Sequence, residues 1–190
     1  DITYPGQHLY REMTEEAKFA EELGYVSISV PEHHFINYLT HPSALLTTVH
    51  VAAVTKHVPI ITAVLVLPFR DMRNLAGEVA QTDCLTGGRL QIGLGRGAFQ
   101  YEFERFGISM NEAKARFADA RDLLLELLTE EEVSWKSDWY DFPALTIMPR
   151  PVQRPHPPVW IAAVTYDSIK NAVLDGYHVM TTPLREPFSA

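Results

Sequence analysis

Two groups of side chains in this 190-residue sequence could do chemistry. Glu32, His33 and His34 stand together directly after Pro31. A histidine ordinarily titrates near neutral pH, so either ring could act as a general acid or base, with Glu32 as the neighbouring carboxylate. The second group is Arg96, set between Gly95 and Gly97 in the glycine-rich run from Thr86 to Gly107. Its planar cationic fork suits a phosphate, and glycines let a backbone come close to a ligand or take a positive φ. A turn at Gly87-Gly88 and a short apolar strand, Leu90 to Leu94, lead into that run. The pattern is that of an anion site at a strand end.

Other chemistries compete for the same residues. Gly93, Gly95 and Ala98 satisfy the G-x-G-x-x-[GA] spacing of a dinucleotide fold, which also needs a following helix and a second strand ending in an acidic residue. The next long element, Asn111 to Leu128, is helical in pattern, so that second strand is missing. A plain strand-to-loop bend with a solvated Arg96 is the structural alternative. The Glu-His-His triplet has no third ligand at a telling spacing and no helix-borne H-E-x-x-H, so no metal is expected.

The elements that position these groups alternate between helix and strand. Leu9 to Leu23 has Met13, Ala17, Ala20 and Leu23 spaced for one helical face, with Gly24 as C-cap. Tyr25 to Val30 reads as a strand, and Pro42 to Lys56 as a helix with Pro42 in its first turn. Val58 to Leu67 is nearly continuous apolar and β-branched, as in a parallel strand covered on both faces. A helix from Met72 to Leu85 follows, carrying Cys84 as an expected core residue. After the glycine-rich run come the Tyr101 to Phe106 piece and the long helix. Trp135, Trp139, Tyr140 and Phe142 then mark an excursion at about residues 132–157, read as a hairpin packed on the domain surface. Val159 to Ala163, Ser168 to Leu174 and His178 to Thr182 restore the strand–helix–strand rhythm.

This alternation implies an α/β fold with a parallel sheet. The expected architecture is a single TIM-type (β/α)8 barrel domain over residues 1–190. Such barrels typically take about 250 residues, so the first strand and the last two or three units are expected to be absent. Barrel chemistry sits at the C-terminal strand ends. The polar residues there are Glu32, His33 and His34; Arg70 and Asp71; Arg96; Thr165 and Ser168; and Arg185.

Composition bounds the function. With 46% hydrophobic residues the chain can bury a substantial core, and its formal net charge of −8 argues against nucleic-acid binding. No apolar run is long enough to span a bilayer, and no charged-then-apolar leader opens the sequence. The one cysteine, Cys84, cannot form an internal disulfide, which suits a cytoplasmic setting.

In combination, five segments resemble the bacterial-luciferase-like, flavin-dependent monooxygenase family. They are EELGYVSISVPEHHF (Glu21 to Phe35), TAVLVLPFRD (Thr62 to Asp71), LTGGRLQIGLGRG (Leu85 to Gly97), EFERFG (Glu102 to Gly107) and RPVQRPHPPVWIAA (Arg150 to Ala163). The resemblance implies reduced FMN as co-substrate, molecular oxygen as oxidant, a separate flavin reductase and a small organic substrate. It also implies a homodimer or heterodimer. By position, Arg96 would clasp the FMN phosphate, completed by the Thr165 and Ser168 hydroxyls. Thr62, Ala63 and Val64 would lie under the flavin ring, where the family often has a non-proline cis peptide, here Ala63–Val64. His33 matches the family's catalytic histidine, with Glu32 beside it. Luciferases proper carry a reactive cysteine immediately before the arginine, where this chain has Gly95, and Glu-Ser where it has Val164-Thr165. Both departures favour a general monooxygenase over light emission. Two rivals share the fold: a deazaflavin-dependent oxidoreductase, and a non-catalytic flavin-binding protein or partner subunit.

Overall fold

A computed structural model of the chain describes residues 3, 5–37 and 39–181. The alternation read from the sequence becomes a parallel sheet. Its strands are β1 (Ile28–Val30), β2 (Ile60–Thr62), β3 (Leu65–Val66), β4 (Leu90–Gly95), β7 (Val159–Ala162) and β8 (His178–Met180). Their order is β1-β2-β4-β7-β8, with β3 continuing the path of β2 along β4, and every pairing is parallel. Each strand lies beside the next barrel strand in sequence, so the sheet holds five successive strand positions of a TIM-type barrel, among the described residues. Thr182 and Arg185 lie outside those residues.

The apolar run from Val58 to Leu67 is expected to be one strand but divides in two, because Ala63 and Val64 leave the ladder and the peptide between them is cis. The helices are α1 (Gly6–Glu22), α2 (Ala44–Val54), α3 (Met72–Leu85), α4 (Gln100–Phe106), α5 (Ala113–Thr129) and α6 (Tyr166–Leu174). Ser43, not Pro42, opens α2: its hydroxyl accepts the Leu46 N–H, satisfying one of the donors a helix start leaves unpaired. At the end of α1, Leu23 turns outward and is 59% exposed, off the face that Met13 and Ala17 bury.

The core lies between β4 and its two covering helices. Leu90, Ile92 and Leu94 alternate along β4 and are fully buried, beside Leu75 and Val79 of α3 and Leu123, Leu124 and Leu127 of α5. Cys84 falls on the other side of α3 and is exposed, so it is not a core residue; its thiol meets the Arg150 carbonyl at 3.4 Å. The excursion forms a hairpin of β5 (Val133–Lys136) and β6 (Asp141–Leu145). Asp119 of α5 anchors it, accepting from Trp135 Nε1 at 3.1 Å and Ser137 Oγ at 2.8 Å. The guanidinium of Arg116 lies over the Trp139 ring, and that of Arg73 over Phe142. These aromatics are therefore committed to docking.

One carboxylate pins the turn that feeds β2. Glu21, on the last turn of α1, accepts the backbone N–H groups of Lys56, His57 and Val58 at 2.8 to 3.0 Å. The His57 amide bond is the largest cause that holds its pKa down, from 4.5 to about 2, with the Val58 and Lys56 amides helping against desolvation. The folded state therefore gains from the ionised carboxylate at any pH above about 4.5, and loses that gain as the pH falls toward 2. Glu21→Gln is expected to lower stability at neutral pH, by an amount that shrinks below about pH 4.5. Denaturant titrations of both proteins between pH 2 and 7 check this; a difference independent of pH would mean the carboxylate charge is irrelevant.

Candidate active site

The loop after β1 carries the first chemical group. Pro31 cannot donate to a strand ladder, so pairing stops and Glu32-His33-His34 turns across the C-terminal strand ends. Glu32 is 2% exposed. Its Oε2 accepts from Arg70 Nη2 at 2.8 Å, and its Oε1 lies 3.1 Å from His34 Nε2. His34 is boxed by the rings of Phe35, Phe69 and Phe106, with centroids 5.1 to 6.1 Å away. Its backbone N–H donates to Glu102 Oε1 at 2.8 Å. The same oxygen lies 3.4 Å from His33 Nδ1, and the His33 ring tilts against Phe99 at 5.2 Å.

Glu102 is the residue that sequence reasoning missed. It is 1% exposed, in the first turn of α4, and one of its oxygens faces both histidine residues. A buried carboxylate needs such donors, since an unpaired charge is costly away from water. The signal available was an acid, Glu102, set in a short stretch with Phe99, Phe103 and Phe106 around it. The sequence pattern placed both Arg70 and Glu32 at the mouth but did not pair them.

The glycine run is built for a neighbouring strand as much as for a ligand. A Cβ at Gly93 would fall 1.9 Å from the Thr62 carbonyl oxygen, and one at Gly95 would fall 2.2 Å from Val64 Cγ2. Thr62 is fully buried, and its hydroxyl accepts the Gly93 N–H at 2.8 Å and donates to the Gly93 carbonyl at 3.1 Å. The expectation that these two glycines open the backbone to a ligand is therefore corrected: they admit the Thr62–Val64 segment. Gly97 differs, with φ +87°. Gly95 also accounts for the missing cysteine, because Val64 already fills the space a side chain would need. Ala63 and Val64 remain half-buried at the strand end.

Arg96 follows β4 directly, is exposed, and makes no ion pair or hydrogen bond among the described residues. Since Leu94 pairs with Ile161, Arg96 stands level with Ala163 and two residues short of Thr165. Thr165 and Ser168 form the capping box of α6. Thr165 Oγ1 lies 2.8 Å from Ser168 Oγ, which also meets the Thr165 carbonyl at 2.8 Å. Each hydroxyl has one proton, and both are engaged within the box. The donors that this helix start leaves without an intrahelical partner are therefore backbone N–H groups of its first turn.

The chain thus presents a parallel barrel sheet with a histidine–carboxylate cluster and, among the described residues, an unpaired arginine after its strand ends. The chain belongs to the luciferase-like monooxygenase family, which it matches from residue 2 to residue 190. It is 37% identical over 184 residues to the oxygenase component of the flavin-dependent trigonelline monooxygenase of Acinetobacter baylyi, covering 94% of this chain and 50% of that protein. It is 36% identical over 161 residues to an F420-dependent glucose-6-phosphate dehydrogenase of Amycolatopsis mediterranei, covering 80% and 47%. Among solved structures, the monooxygenase RslO1 of Streptomyces bottropensis superposes with a TM-score of 0.90 at 34% identity, over 97% of this chain and 56% of that one. The chain thus spans about half the length of the curated relatives it matches. Among the described residues, no helix is long and apolar enough to cross a membrane.

Proposed function

We propose that this chain belongs to the oxygenase component of a two-component, FMN-dependent monooxygenase, as one barrel domain acting on a small organic substrate in the cytoplasm. A separate flavin reductase would supply the reduced cofactor, and the working enzyme would be a homodimer or heterodimer. The observation that carries the reading is that a carboxylate-held histidine, His33, and a cation with no ion pair among the described residues, Arg96, follow the C-terminal ends of β1 and β4 in one parallel sheet.

The residues present fit the cofactor. Arg96 and the first-turn N–H groups of α6 would offer a phosphate a charge-assisted fork and a helix start. Thr165 and Ser168 would shape that site through the capping box, and Thr62 would brace the floor that half-buried Ala63 and Val64 present to a flat ring. When bound, reduced FMN would supply the electrons with which molecular oxygen gives one atom to the substrate and the other to water. His33 would hold or deliver the proton at the mouth. The Phe35, Phe69, Phe99 and Phe106 rings keep that region apolar and limit water.

The test is anaerobic titration with FMN and reduced FMN, then admission of labelled oxygen with candidate substrates. Tight binding of the reduced form and label in the product support the reading. Turnover without oxygen, with a deazaflavin accepting hydride from the substrate or donating it, would instead support the second reading, which the F420-dependent dehydrogenase relative favours. Binding without turnover in either assay would mark a non-catalytic flavin-binding or partner subunit. Arg96→Ala should remove charge-assisted bonds of about 1.5–3 kcal/mol, weakening FMN roughly ten- to a hundredfold. Unchanged affinity would remove Arg96 from the phosphate site.

A further inference from the structure

We infer that Arg70 is a positioning residue for the histidine pair, acting through Glu32, and that the β5–β6 hairpin sets Arg70 by way of Tyr140; the catalytic consequence rests on the role proposed for His33.

The contacts form one path. Tyr140 Oη donates to the Arg70 carbonyl at 3.2 Å. Arg70 Nη2 donates to Glu32 Oε2 at 2.8 Å, and Glu32 Oε1 sits 3.1 Å from His34 Nε2. The His34 amide donates to the Glu102 oxygen that faces His33 Nδ1. The two histidines are adjacent in the chain and meet the same Glu102 oxygen, so a shift of the loop at His34 is passed to His33.

The Arg70 end of this path is anchored. The Arg70 N–H bonds to the Leu67 carbonyl at 3.0 Å, closing a short 3-10 turn over Leu67–Phe69. The next residue, Asp71, caps α3 by accepting the Arg73 N–H at 2.9 Å. Burial, with Asp71 and Asp119 nearby, pushes the Tyr140 pKa up to about 12, so its hydroxyl remains a donor at any ordinary pH. Besides Glu32, the charged group facing the guanidinium is Glu78 of α3, 3.8 Å from Nη1. Arg70 Nε is buried and has no hydrogen-bond partner among the described residues. The arginine therefore grips Glu32 at one short contact rather than as a two-pronged fork, a contact that a lysine ammonium could in part replace.

This arrangement separates the two histidines. His34 is held on its Nε2 by Glu32 and walled by three phenylalanines, so it serves as the hinge of the loop. Glu32, itself wholly enclosed, acts on His34 rather than on a substrate.

Arg70→Met, Arg70→Lys and Tyr140→Phe in the full chain test the proposal. The first readout is the ring resonances of His33 and His34 in histidine-labelled protein without flavin, which is independent of the reaction. The second is the split between kcat and flavin affinity. The expected result is displaced His34 and His33 resonances in Arg70→Met, partly restored in Arg70→Lys. With it should come a kcat lower by roughly ten- to a hundredfold at flavin affinity within about twofold of wild type. Should Arg70→Met not fold, displaced resonances in Arg70→Lys or Tyr140→Phe support the path. Resonances that superpose on wild type in all folded variants overturn it, whatever happens to the rate. Displaced resonances in a protein whose wild type never turns over with flavin and oxygen would uphold the positioning role and remove the monooxygenase reading.

Discussion

Alanine at position 93 is expected to break the native pairing of β2 with β4, at a cost of about 3 kcal/mol or more, or to leave no folded protein at all. The added Cβ would sit 1.9 Å from the Thr62 carbonyl oxygen and 3.1 Å from its carbon. Both are backbone atoms, so no rotamer change can relieve the clash. The strands cannot simply part, because the Thr62 hydroxyl bridges the N–H and carbonyl of Gly93 in a fully buried site. Separating them would leave those polar groups unpaired away from water. Denaturant unfolding of Gly93→Ala decides the matter, and a midpoint equal to wild type would show that the close approach does not exist.

Gly95 offers an internal control, since its added Cβ would meet a side chain, Val64 Cγ2 at 2.2 Å. Gly95→Ala should destabilise less than Gly93→Ala, and Val64→Ala should recover part of the loss. The double-mutant cycle measures that coupling directly.

Removing the His33 ring is expected to have the largest effect on rate. His33→Ala should slow turnover about 10²–10⁴-fold, the usual contribution of a positioned general acid or base, while flavin binding is retained. The geometry behind this is the carboxylate–imidazole pair. Glu102 Oε1 lies 3.4 Å from His33 Nδ1, at the long end for a hydrogen bond, but the same oxygen is fixed by the His34 amide at 2.8 Å. A buried carboxylate facing one ring nitrogen orients the ring and favours one tautomer, which fixes how the imidazole presents its proton. The phosphate site proposed at Arg96 and the floor proposed at Ala63–Val64 do not include the ring, so affinity and rate should separate. Single-turnover kinetics with measured flavin affinity check this, and wild-type rates in the variant would remove the role.

The amino-acid sequence alone determined the parallel α/β alternation, because helix and strand periodicities are local and survive without knowledge of the fold. It also placed the chemical residues at strand ends: Pro31 stops β1 just before Glu32, and Arg96 stands where β4 runs out. Through the resemblance it placed a cis bond at Ala63–Val64, which is where the chain has one. What it could not assign was which partner each side chain meets. Glu102 reaches His33 across 69 positions of sequence and Arg70 reaches Glu32 across 38, so those pairs depend on strand register and loop path. The same holds for Cys84, apolar enough for a core but turned outward on α3, and for Thr165 and Ser168, whose hydroxyls are taken up by each other at the start of α6. Gly93 and Gly95 read alike in a one-dimensional pattern, whether the space they leave is for a phosphate or for a neighbouring strand. Only the tertiary structure decides between them, because steric exclusion acts between atoms close in space and far apart in the chain.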